Sequence, residues 1–225
     1  ELLIIGTGSV LLAGGLWACQ QGPLPEPDNL KKEKIWPADR WAVDFRNEKA
    51  AALSDVTMAV SLAAPLVSTF FTTGSKTYWK KNLIIYGEAA LFACGLTLLS
   101  KGMIRRARPY TYDTGYLPKK DGTRSFFSGH TAAAFTGAVT SALLFQDQHS
   151  GHAAVGVIWS AGLAVATTTA LLRVAAGKHF PTDVIAGAAA GTLSAWAAVR
   201  LHQDGSSGER GSSREITIFS VSVKI

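Results

Sequence analysis

Three short segments of this 225-residue chain carry the residue types that bind anions and move protons. In the first, KGMIRRARP, Lys101, Arg105, Arg106 and Arg108 follow an apolar run. Basic residues there complement the negative end of a helix and also suit a membrane interface, so the cluster alone specifies no ligand. The second, RSFFSGH, puts Ser128 where its hydroxyl caps the next helix, and a helix start with free backbone N–H groups attracts phosphate. In the third, LRVAAGKHFPTDV, Pro181 suits a first helical turn and His179 stands four residues before Asp183. That spacing lets the carboxylate reach one imidazole nitrogen, fix the tautomer and stabilise positive charge on the ring.

The Ser-Gly-His tripeptide recurs 22 residues later, at Ser150-Gly151-His152. A helix of about 16 residues between the copies is roughly 24 Å long, so the two histidines cannot share a site. His152 and its neighbour His149 have no basic cluster and read as surface or interfacial residues, with Ser150 and Gly151 beginning the next helix.

The elements that must position these segments are six apolar stretches, about 2–18, 50–72, 83–100, 131–146, 153–172 and 183–200. All are long and rich in alanine, leucine and glycine, so they read as helices. The fifth, about 20 residues without a charge, spans roughly 30 Å, the thickness of a bilayer core. Asp55 and Glu88 interrupt the second and third, and no motif gives Glu88 a chemical step. Gly187 and Gly191 have the spacing at which membrane helices approach closely. The expectation is one all-α domain over residues 1–202, with six membrane-crossing helices and a motif-bearing core at about 50–200. A soluble bundle is the alternative. Residues 19–49 read as a surface loop or interfacial segment, and 203–225 as a flexible linker plus a strand with a phase slip at Ile218 and Phe219.

Composition leans towards membrane, with 48% of residues hydrophobic and only 17% charged against about 25% in soluble domains, but long polar segments between the apolar ones leave the choice open. The net charge of +6 favours an anionic partner. Two cysteines, Cys19 and Cys94, cannot form a disulfide framework or a complete zinc site. Because the chain starts at Glu1 without a basic leader region, part of the natural N-terminus is expected to be missing, and Leu16–Cys19 loosely resembles a lipoprotein cleavage site.

Taken together and in order, Lys101 with Arg108-Pro109, Ser128-Gly129-His130, and Arg173 with His179 and Asp183 resemble the three motifs of the type 2 phosphatidic acid phosphatase superfamily. Two positions depart from its pattern: Phe127 stands in place of proline and Leu172 in place of serine. The resemblance implies a membrane-embedded bundle with a phosphatase core of the acid phosphatase/haloperoxidase type. It implies that His179 attacks phosphorus, Asp183 supports it and His130 moves protons, while Lys101, Arg108, Arg173, Ser128 and Gly129 bind the phosphate. It implies no metal or cofactor and no nucleic-acid partner. The implied substrate is a phospholipid or isoprenoid-lipid phosphate or diphosphate, met at the periplasmic or outer face of a bacterial cytoplasmic membrane. A soluble or lipid-anchored acid phosphatase and a vanadate-dependent haloperoxidase are the alternatives within that superfamily. Arg105, Arg106 and Lys178, outside the matched positions, are expected to attract headgroups or stay solvated.

Overall fold

The computed structural model describes residues 2–21, 30–72, 76–112, 120–204, 216–218 and 221–223. Six of its α-helices are long: α1 (Leu2–Gln20), α3 (Glu48–Thr72), α4 (Lys76–Ile104), α5 (Gly129–Gln148), α6 (Ala154–Ala175) and α7 (Pro181–Asp204). Each overlies one of the six apolar stretches. Between α1 and α3 lies a single turn, α2 (Pro37–Arg40), which apolar periodicity does not reveal.

Helix α5 is the axis, with α3, α4, α6 and α7 all packed against it. Four neighbours closing on one helix require small side chains, and the 12 buried residues of α5 are alanine, glycine, serine and threonine apart from Val139, Leu143 and Leu144. Some buried hydroxyls there are satisfied locally, as where Thr136 donates to the Ala132 carbonyl at 2.8 Å, and Ser141 donates across to Ser68 of α3 at 3.1 Å. The Gly187/Gly191 pair lies at this seam: a Cβ on Gly191 would stand 2.2 Å from the Ala132 carbonyl oxygen and one on Gly187 2.6 Å from that of Ser128.

The outer surface reverses this pattern. Large apolar side chains such as Val56, Val60 and Phe70 on α3, Val157 and Leu171 on α6, and Ile185 and Leu193 on α7 are exposed. An interior of small and hydroxyl residues with an exterior of aliphatic ones suits lipid rather than water. Four helical segments, Glu48–Phe70, Tyr78–Tyr112, Ala154–Ala175 and Pro181–Gln203, are long and apolar enough to cross a membrane. The chain is therefore a multi-pass membrane protein with an all-helical core.

Helix α1 lies along α4 at backbone contact: a Cβ on Gly15 would meet the Leu99 nitrogen at 2.5 Å, and one on Gly102 would meet the Ala18 Cβ at 2.5 Å. Half-buried Cys19 donates its thiol to the Leu98 carbonyl.

Segment 30–47 corrects the expectation of a surface loop. Ile35, Ala42 and Val43 are buried against Ala170, Val174, Phe180 and Val184, at the end of the bundle that carries the three motifs. Only its outer side fits an interfacial segment, with Trp36, Trp41 and Phe45 exposed. The tail is corrected too. Instead of one strand, β1 (Ile216–Ile218) and β2 (Val221–Val223) pair antiparallel, with Ile216 opposite Val223. Ile218, where the phase slip in the sequence begins, is the last residue of β1. The linker at 205–215 lies outside the described residues.

Gly177 closes α6 with φ +66°, and a Cβ there would stand 2.0 Å from the Phe45 carbonyl oxygen. Gly177→Ala is expected to cost more than about 2 kcal/mol, combining left-handed strain with a backbone clash. Thermal unfolding in detergent tests this, and an unchanged Tm would show that the 45–46 segment yields freely.

Candidate active site

The C-terminal ends of α4 and α6, the N-terminal ends of α5 and α7 and the first turns of α3 meet on one face. The loop between α4 and α5 is tied across it: the Arg108 N–H donates to the Gly122 carbonyl at 2.7 Å, that of Ser125 to Arg106 at 2.9 Å and that of Ser128 to Asp183 at 3.0 Å. These bonds bring residues from all three sequence segments together.

Three cations define the site. Lys101, Arg108 and Arg173 lie near enough for mutual repulsion, and both arginines are buried. Arg108 pairs with Asp121 at 3.0 Å. Arg173 donates to the Ser54 hydroxyl at 3.2 Å and stands 3.7 Å from Asp55. The Nε of each arginine is nevertheless buried without a hydrogen-bond partner among the described residues. Orphaned guanidinium N–H groups are costly, and a multivalent anion such as phosphate satisfies them. Ser128, fully buried, caps α5 as its sequence position indicates, accepting from the Thr131 N–H at 3.4 Å and the Thr131 hydroxyl at 3.0 Å. Both lone pairs are then engaged, which leaves its own hydrogen to donate. Gly129 opens α5 beside Lys101, whose Cε would lie 3.9 Å from a Cβ on that glycine.

His179 and Asp183 are both buried, at 1% and 0% exposure. The Lys178 and His179 N–H groups both donate to the Arg173 carbonyl, at 3.1 and 3.3 Å, which fixes the imidazole relative to one of the cations. Asp183 Oδ2 is 3.7 Å from His179 Nδ1, a charge contact too long for a hydrogen bond. The carboxylate is instead held by Arg106 at 2.6 Å, the Ser125 hydroxyl at 2.5 Å and the Phe180 N–H at 2.9 Å. Burial pushes the His179 pKa well below the ordinary histidine range, so the ring is neutral at pH 7. His130, 30% exposed, places Nε2 2.7 Å from Asp55 Oδ1. Its pKa is also lowered, by burial and then by Arg173, with Asp55 opposing.

The residues that sequence reasoning missed surround this pair. Arg106 is no solvated headgroup attractor: one side of its guanidinium reaches Asp183 at 2.6 Å and the Thr182 hydroxyl at 2.7 Å, and the other reaches Asp39 at 2.7 Å. It also covers the Phe180 ring at 4.1 Å. Asp39, 1% exposed, in turn accepts the Thr182 N–H at 3.0 Å and so caps α7 from more than 140 residues away. Arg105, at φ 45°, donates to the last carbonyls of α4 and α1, at Gly102 and Ala18, and Lys178 lies over the Tyr110 ring at 4.9 Å. These basic residues hold the site together. The only sequence signal for Arg106 was its place inside the first motif, and Asp39 had none.

Serines of other helices hydrogen-bond at or beside the two positions that depart from the family pattern. The Ser100 hydroxyl accepts from the Phe127 N–H and donates to the Phe126 carbonyl, each at 3.1 Å, a clamp that proline could not complete. Arg173, next to Leu172, donates to Ser54 on α3. His152 lies at the far end of α5, exposed. Its Nδ1 accepts the Ala154 N–H at 3.1 Å, and α6 begins there, after Ser150 and Gly151 and not with them. Glu88, about 20 Å along α4 from Lys101, stands 3.5 Å from His202 of α7.

This arrangement can bind a phosphoryl group, attack it with a neutral imidazole and relay a proton through a second one. A sequence model of the PAP2 superfamily matches residues 82–206, which include all three segments. Lipid A 1-phosphatase of Porphyromonas gingivalis is 32% identical over 144 residues, 63% of this chain and 28% of that protein, so this chain spans little more than a quarter of the relative's length. A transmembrane PAP2 type phosphatidylglycerolphosphate phosphatase from Bacillus subtilis, 17% identical, superposes with a TM-score of 0.54 over 88% of this chain and 96% of its own, which shows a shared fold. The match over more than half the chain, on a fold that gathers the same three segments at one end of a helical bundle, places this chain in the PAP2 superfamily.

Proposed function

We propose that this protein hydrolyses a lipid phosphate or diphosphate through a phosphohistidine on His179, without a metal ion. One observation carries the lipid reading. A groove of about 290 Å³ runs between α3, α4 and α5, lined almost wholly by apolar groups including Leu62, Ala93, Leu98 and Ala133, and its lining includes Gly129, which lies beside Lys101. An acyl or isoprenoid chain in it delivers its headgroup to the cations.

In the reaction, Lys101, Arg108 and Arg173, with the Ser128 hydroxyl and the Gly129 N–H, hold the phosphoryl oxygens and take up the charge that develops on them. The neutral His179 ring attacks phosphorus, and Asp183 offsets the imidazolium charge by closing on Nδ1 by less than about 1 Å, as apo contacts commonly do when substrate binds. His130 protonates the leaving oxygen and then takes a proton from the water that hydrolyses the intermediate. Bound phosphate brings negative charge to His130 and so counters the lowering of its pKa by Arg173. All six long helices cross the membrane in this reading, with the site at the outer face of a bacterial cytoplasmic membrane.

The test is phosphate release without divalent metal from a lipid panel that includes lipid A 1-phosphate and phosphatidylglycerol phosphate. At least one is expected to turn over and vanadate to inhibit, whereas no release from any lipid would refute the assignment.

A further inference from the structure

His130 is engaged on one side of its ring. Nε2 stands 2.7 Å from Asp55 Oδ1, while Asp55 itself is 62% exposed and lies 3.7 Å from Arg173. Asp55 belongs to none of the three motifs. It interrupts an apolar stretch of α3, where a carboxylate is unfavourable and ionisable residues are commonly functional. Among the described residues, the charged groups acting on His130 are Asp55 from α3, Arg173 from α6 and Lys101 from α4, and Asp55 is the one acid among them.

We propose that Asp55 is the positioning residue of the proton shuttle: it holds Nε2–H of His130, so that Nδ1 gives the proton to the leaving group and takes one from water. This rests on the phosphohistidine reading above. In the doubly protonated ring, Nε2–H donates to Asp55 and Nδ1–H faces the ester oxygen. As the bond from phosphorus to His179 forms and that to the leaving oxygen breaks, the Nδ1 proton passes to the oxygen. The ring that remains is neutral with its hydrogen on Nε2, kept there by the carboxylate, and its lone pair is on Nδ1. That lone pair takes a proton from water as the water oxygen bonds to phosphorus and the P–N bond breaks, which restores the starting ring. Without Asp55 the neutral ring divides between two tautomers, and Arg173 and Lys101 act on it unopposed.

The experiment compares kcat/KM for the full chain and its Asp55→Ala, Asp55→Asn and Asp55→Glu variants on two substrates. One is the lipid monophosphate most active in the panel, whose alkoxide leaving group needs a proton. The other is p-nitrophenyl phosphate, whose phenolate does not. Because kcat/KM reports steps up to formation of the phosphoenzyme, it isolates leaving-group protonation. Asp55→Ala is expected to lose about 10- to 100-fold on the lipid and less than about threefold on the aryl ester. Asp55→Asn should move the basic limb of the pH profile to lower pH, and Asp55→Glu should recover most of the lipid activity. Equal losses on both substrates, an unmoved basic limb, or a gain on removing the charge would overturn the assignment, the last by making Asp55 a competitor of phosphate. Wild-type turnover with an inactive His179→Ala control keeps the phosphohistidine reading standing whatever the Asp55 variants do. A wild type that releases phosphate from neither substrate overturns both.

Discussion

Arg106→Ala is expected to remove most activity and to loosen the site face, although Arg106 occupies none of the matched family positions. Its guanidinium stands between two carboxylates, Asp39 and Asp183, that are 1% and 0% exposed. Breaking a buried ion pair by deleting one partner costs about 3–5 kcal/mol, because the other charge is left uncompensated. Asp183 then answers by taking up a proton or by moving, and either change loosens its hold beside His179. A displacement of about 1 Å in a catalytic group costs roughly a hundredfold in turnover, which sets the scale of the expected loss in kcat. Arg106→Lys restores the charge but not a fork that reaches Asp39, Thr182 and Asp183 at once, so it should fall between the alanine variant and the wild type. Turnover and Tm measured together decide the matter. Wild-type values of both in Arg106→Ala would mean that the Asp39–Arg106–Asp183 chain has no function.

Asp183→Asn should leave the fold largely intact and lower kcat by about 10³- to 10⁴-fold, the scale seen when a histidine's supporting carboxylate is neutralised. The amide can still accept from the Phe180 N–H, but it cannot offset charge on the imidazole, and it leaves Arg106 with Asp39 as its remaining carboxylate, beside the Thr182 hydroxyl. Because burial holds His179 below the ordinary histidine range, the nucleophile of the proposed reaction stays neutral into mild acid, and in that reaction a fall in activity on the acid side belongs to other groups. The sign for stability follows from the same shift. The unfolded chain takes up a proton on His179 that the folded chain refuses, so this contribution is complete above the unfolded histidine pKa and declines as pH drops below about 6.5. His152→Ala, at the far end of α5, serves as the control and should turn over like the wild type.

The helices were legible in the sequence because each long apolar run is also a structural unit, and lipid-facing surface keeps such runs uninterrupted. The three motif segments were legible because each sits at a helix end, where Ser128, Pro181 and the basic residues after α4 have local reasons to be. What sequence could not show depends on contacts across long separations. Asp39 lies in a proline-rich, charged segment that resembles any surface loop, yet its carboxylate caps α7. Asp55 looked like a flaw in an apolar helix, and it is the partner of His130. Arg105, Arg106 and Lys178 read as headgroup-attracting or solvated because no periodicity distinguishes a basic residue that grips a carboxylate, a carbonyl or a ring inside the protein from one that meets lipid headgroups or water. Ser54 and Ser100 bind Arg173 and the Phe126–Phe127 backbone from other helices, and no local pattern points to them.

The most direct measurement is rapid-quench trapping of the intermediate with a ³²P-labelled lipid phosphate, followed by peptide mapping. A transient, acid-labile and alkali-stable phosphoprotein is expected, with its label on the peptide that carries His179, and it should be absent from His179→Ala. Label on any other side chain, or full turnover by His179→Ala, would contradict the proposed reaction.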